Sequence, residues 1–176
     1  LEPMLQADFA NMWFWDSEEK RLNRVEVARE YFNELMAMRC CEWALKSDAG
    51  FGSAIGLWLA SFFKAESSGT EMPTYFGQNH ADAMTYATTA GPEYLHQALG
   101  RAIADRNAYV SLGAIEALAK ISGEKSLLFR IGPRQPLTEA LKFYDRAVRY
   151  SAAIAIASAG PKYKFPESNL VADILA

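Results

Sequence analysis

The sequence predicts an all-α chain, an α-solenoid of antiparallel helix pairs preceded by a β-hairpin. From residue 28 onward the apolar side chains recur at three- and four-residue spacings, the period of a helix face. Two segments, "ALGRAIADRNAYVSLGAIEALAKISG" (98–123) and "PLTEALKFYDRAVRYSAAIAIASAG" (136–160), align at an offset of 38 residues. Only residues 11–27 alternate aromatic and branched side chains around a polar turn. The chain divides accordingly into an N-terminal arm and hairpin, 1–27, and a helical repeat domain, 28–176.

In the hairpin, Met12-Trp13-Phe14-Trp15 is strand-prone, Leu22 to Val27 alternate, and "DSEEKR" between them predicts a loop of about five residues. A lone hairpin is marginal in water, so its aromatics should pack on the helices that follow. "REYFNELMAMRCCEWALKS" is uninterrupted by Pro or Gly and predicts a helix, stopped by "SDAG". "FGSAIGLWLASFFKAE" (51–66), apolar nearly all round, predicts a buried second helix antiparallel to the first. "SSGTEMPTYFGQNHAD" (67–82) reads as a surface loop, with a short helix following at 80–89. Pro92 then suits the first turn of the next helix.

Each 38-residue copy reads as a helix, a polar turn and an Ala-rich helix ending near Gly, at Gly123 and Gly160. The offset is close to the period of two-helix solenoid repeats, roughly 40–47 residues. Gly113, Ala114, Ala117, Ser151, Ala152 and Ala155 are small enough to let stacked helices approach closely.

"DRAVRYSAAIAIASAG" resembles the second half of a HEAT repeat, best at Val148, Arg149, Ala152, Ala155 and Ile156. The match is weaker at Val110, Ser111, Ala114, Ala117 and Leu118. The whole chain, with "WFWD" and "FNELMAMR", looks like bacterial HEAT-repeat proteins of unassigned function. The resemblance implies a right-handed stack of HEAT-like helix pairs and brings no catalytic residue and no cofactor. It also implies an inter-repeat ladder in which a turn Asp bonds the Arg of the next repeat. Carried over, that ladder has one rung, Asp105–Arg149, because Ser111 and Phe143 occupy the other Arg and Asp positions.

Composition narrows the function classes. Hydrophobic residues at 51% and charged residues at 22% are ordinary globular values. A net charge of −3, with no basic block, argues against nucleic-acid binding. No apolar run reaches the roughly 18 residues that span a bilayer. The chain begins at Leu1 rather than Met and ends in the apolar pattern "NLVADILA", so it reads as a fragment of a longer protein. The two cysteines, Cys40 and Cys41, are adjacent in a helix and read as reduced thiols, at least one of them buried. Compartment stays open, with the cytoplasm favoured, since a targeting sequence could precede Leu1.

Chemical motifs are absent. His80 and His96 fit no metal spacing, and the His-Glu dipeptides of HEAT-fold hydroxylases are missing. "SSG" at 67–69 lacks a nucleophile elbow, no phosphate-binding glycine loop occurs, and Glu18 and Glu19 read as a solvated loop. Cys40 and Cys41 have no neighbouring base. Trp13, Trp15, Trp43 and Trp58 read as packing aromatics, with an exposed platform for a peptide or glycan as the alternative.

The expected function is therefore a non-catalytic protein-interaction module whose partner is another protein or peptide. Its surface would be the concave face, with Ser111, Glu116, Lys120 and Tyr150, and a basic rim of inter-repeat loops, with Arg134, Lys162 and Lys164. The alternative, by fold analogy, is an accessory protein handling a small ligand, similar to the HEAT-like lyases that attach chromophores. A HEAT-like DNA glycosylase needs a basic concave face, which a pI near 5.5 and Glu116 oppose.

Overall fold

A computed structural model of the chain describes residues 8–67, 81–121 and 123–176. It is mostly helical, with an N-terminal two-stranded antiparallel hairpin. Strands β1 (Phe9–Asp16) and β2 (Arg21–Ala28) pair Phe9 with Ala28 at the open end and Asp16 with Arg21 at the turn. The loop is 17–20, one residue shorter than expected, because Asp16 closes it from within. Its Oδ1 accepts from the backbone N–H groups of Glu18 and Glu19 at 2.9 and 3.0 Å. These amides, that of Glu19 above all, hold the Asp16 carboxyl below its ordinary value. Met12 and Val27 are buried against the helices, and Arg39 donates to the Trp13 carbonyl, which fixes β1 to the helix beneath it.

Helices α1 (Arg29–Ser47) and α2 (Gly52–Glu66) form the expected antiparallel pair, with Lys64 bridging to the buried Glu34. Residues 68–80 of the anticipated loop, with His80, lie outside the described residues. The short helix appears as α3 (Ala83–Ala90), started by the Asp82 side chain accepting from Thr85 N–H at 2.7 Å. Then follow α4 (Pro92–Ala104), α5 (Ala108–Ile121), α6 (Glu124–Leu127), α7 (Pro136–Ala140), α8 (Arg146–Ala159) and α9 (Ser168–Leu175).

The 38-residue offset is structural. Helix α5 runs from 108 to 121 and α8 from 146 to 159, so both ends differ by 38. Both are capped at the same place. Asn107 Oδ1 accepts from Val110 N–H at 3.0 Å, and Asp145 Oδ1 accepts from Ala147 and Val148 N–H at 2.8 and 3.2 Å. Gly160 ends α8 in the left-handed conformation (φ 57°). The first helices of the two copies differ, since α4 has 13 residues and α7 only 5. After α7 the buried side chains Leu141 and Phe143 stand two residues apart, a spacing no helix can point to one side.

Helix α5 is the centre of the packing, touching α2, α3, α4 and α8. Its Val110, Ala114, Ile115, Ala117 and Leu118 are buried. At Gly113 the backbone meets the Phe63 ring of α2, where an added Cβ would stand 2.7 Å from the ring.

The expected Asp105–Arg149 rung does not form. Asp105 bonds Arg101 one turn back at 2.6 Å. Arg149 Nη1 donates to the carbonyls of Phe143 and Tyr144 at 2.8 and 2.9 Å, closing its own turn. Ser111, 38 residues earlier, does the same work, its hydroxyl donating to the Asn107 carbonyl at 2.7 Å. The contact between the turns comes from other residues. Tyr144 Oη donates to the Arg106 carbonyl at 3.0 Å, and the Arg106 guanidinium lies 5.0 Å over the Tyr144 ring. These two positions are again 38 apart.

Gly113→Ala should lower stability by about 1–3 kcal/mol in urea unfolding, because the new methyl group must displace a buried ring. Arg149→Ala should cost about 1–3 kcal/mol and Tyr144→Phe about 0.5–1.5 kcal/mol in the same measurement. An Asp105→Asn change that matched Arg149→Ala would restore the rejected rung.

Candidate functional site

Helices α5 and α8, the second helices of the two copies, run side by side and leave a groove of about 560 Å³ between them. Leu112, Ile115 and Ala119 of α5, Ile154 and Ala155 of α8 and Leu127 of α6 supply its apolar walls, with Glu116 and Ser158 as polar neighbours. The feature that stands out is Ile154, 47% exposed on a helix whose other apolar face is buried.

Of the sequence-predicted surface residues, Glu116 lines this groove, and Lys120 pairs with it at 2.8 Å on the same helix face. Tyr150 lies one turn before Ile154 and is exposed. Ser111 is a correction: it is fully buried, consumed by its bond to the Asn107 carbonyl, and takes no part in any surface. The basic rim is also modified. Arg134 is not a free cation, because Glu139 holds it in an ion pair that raises its pKa above the ordinary value. Lys162 and Lys164 are exposed on the loop between α8 and α9, beside Tyr163.

Ile154 and Leu112 were missed in the sequence because an Ala-rich helix gives little contrast between its faces. A signal existed: in "SAAIAIASAG" Ile156 shares the inner face with Val148, Ala152 and Ala155, which turns Ile154 some 200° away.

The groove is braced from below by a buried histidine. His96 of α4 is fully buried beside the Phe129 ring, and its Nε2 donates to the Ser126 carbonyl of α6 at 2.8 Å. Its Nδ1 is buried without a hydrogen-bond partner. The carbonyl can only accept, so Nε2 carries a proton, while burial and the partnerless Nδ1 favour the neutral ring. Burial pushes the His96 pKa below its ordinary 6.5, against the smaller opposing pull of the Ser126 carbonyl. His96 thus ties α4 to the short helix whose next residue, Leu127, walls the groove.

A second hollow of about 510 Å³ lies among α1, α2 and α4 and is lined by both thiols, with Phe51, Leu57 and Arg101. Cys40 is exposed and Cys41 buried, both free, and burial raises the Cys41 pKa, with Cys40 and Glu42 adding to it. That makes the inner thiol a poorer nucleophile. Among the described residues no group of three or more His, Cys, Asp or Glu could hold a metal ion, and no helix is long and apolar enough to cross a membrane.

The tryptophans divide. Trp58 packs inside, edge-on to Phe62 and Tyr86 at 5.2 Å, with its Nε1 donating to Glu42 at 3.2 Å. Trp13, Trp15 and Trp43 are mostly exposed, so the expected packing role holds for one of the four. No family model, curated protein or solved structure matches the chain.

Because the unfolded chain protonates His96 more readily than the folded one, folding stability should be insensitive to this group above pH 6.5 and fall as the pH drops below it. Urea unfolding from about pH 8 to about pH 5 should show that decline, and His96→Gln should remove it. An unchanged slope would mean that His96 is free to charge in the folded state.

Proposed function

We propose that the chain is a non-catalytic interaction module of the HEAT-repeat type, which holds an apolar segment of a partner protein in the groove between α5 and α8. Several features support the repeat reading: the matched ends of α5 and α8, their matched caps, and the Arg106–Tyr144 contact between successive turns. In such stacks the second helices line the extended concave face used for binding. The observation that carries the functional reading is Ile154, a large aliphatic side chain left 47% exposed along an apolar groove.

The groove suits an amphipathic helix or extended segment, since it runs beside more than one turn of both α5 and α8 and its polar groups Glu116, Ser151 and Ser158 stand beside the apolar floor. A segment with two or three aliphatic anchors would bury Ile154 and Leu112, with the Glu116–Lys120 pair as its solvated edge.

Ile154→Glu places a charge in the groove without touching the core. Proteins captured from a lysate by the wild-type chain should be lost with this variant, while its circular dichroism and thermal midpoint stay as in wild type. Capture of the same set by both would exclude the groove as the binding surface.

A further inference from the structure

The hairpin offers a second surface, independent of the groove. A two-stranded ribbon has two faces, and the helices cover one of them. The outer face carries four cross-strand rows: Phe9 with Ala28, Asn11 with Glu26, Trp13 with Arg24, and Trp15 with Leu22. Phe9, Trp13, Trp15 and Leu22 are 59, 53, 63 and 61% exposed, an unusual concentration of apolar surface on eight-residue strands. Arg24 and Glu26 are exposed, and neither side chain has an ion pair or hydrogen bond.

The order of these rows is complementary to itself. Let a second copy face the first across a twofold axis that lies between the two ribbons and runs across the strands. Each strand then lies over its own counterpart with the row order reversed. Trp15 meets the partner's Phe9, and Leu22 meets the partner's Ala28. The two central rows meet each other, so Arg24 stands over the partner's Glu26, and symmetry repeats every contact. Aligned packing keeps the two strand directions within about 30° of each other, which preserves these row-on-row contacts.

We propose that this face is the contact surface of a homodimer, two hairpins packed face to face with their aromatics inside and two reciprocal Arg24–Glu26 ion pairs across the axis. Its size sets its strength. An eight-residue strand is about 26 Å long and two strands with their side chains about 10–15 Å wide, giving roughly 260–390 Å² on each copy. The total of about 500–800 Å² falls well below standard interfaces and fits only weak, transient association. The dimer therefore forms with rising concentration rather than as a permanent assembly.

Sedimentation velocity of the 176-residue chain from about 1 µM to about 1 mM tests this. The wild-type chain should move from monomer to dimer across that range. Arg24→Glu sets like charges against each other across the axis, as does Glu26→Arg, and each should weaken association at least about tenfold. An equimolar mixture of the two variants again places opposite charges across the axis and should recover the dimer. That recovery cannot come from effects within one chain. Trp15→Ala should weaken association as well. A wild-type chain that stays monomeric throughout overturns the proposal and leaves the face to another occupant. Variants that associate like wild type, or a mixture that stays monomeric, overturn it equally.

Discussion

The Phe63 ring lies against bare backbone at Gly113, and the helical domain is arranged around that contact. A side chain at 113 would push α5 off α2, and α5 is the helix that α3, α4 and α8 also rest on. Close approach there is matched by the fully buried Ala114, Ala117 and Leu118 on the same helix. Dense packing of small residues has a consequence for the surface. With little bulk on α5 and α8, the two helices bury their inner faces completely and still leave an apolar channel along their outer side.

The same two helices show how one architectural position is filled by different chemistry. Each begins with a side-chain cap, Asn107 or Asp145, and each satisfies turn carbonyls from the position 38 residues apart, Ser111 or Arg149. A buried carbonyl needs a donor, and a hydroxyl close by or a guanidinium reaching further both supply one. Successive turns are then joined by Tyr144 bonding the Arg106 carbonyl, with the guanidinium over the ring. His96 extends this principle into the interior, where a neutral imidazole anchors α6 through one carbonyl and positions Leu127 beside the groove.

Much of this was legible in the residues. Alternation located the hairpin, helical spacing located α1, α2 and α4, and the aligned copies marked α5 and α8 as Ala-rich helices ending near Gly123 and Gly160. The candidate site was half legible. Glu116, Lys120 and Tyr150 are exposed as a surface requires, whereas Ser111, expected beside them, lies inside. Helical period alone cannot separate those cases, because a small polar residue is equally at home bonding its own turn or facing water. The Asp105–Arg149 rung failed for a related reason: each charge found a nearer partner, Arg101 in one case and the turn carbonyls in the other.

The sequence by itself determined the hairpin, the longer helices and the 38-residue offset that relates α5 to α8, because these follow from local spacing and local hydrogen bonding. Tertiary structure decided which faces stay bare. Trp13 and Trp15 stand outside because α1 can cover only one side of the ribbon, and the alternation puts both on the other. Ile154 is exposed because the inner face of α8 is already filled by Ala152, Ala155 and Ile156 against its neighbours. Exposure is a property of what packs against a residue, and the chain fixes that only once all its elements have met.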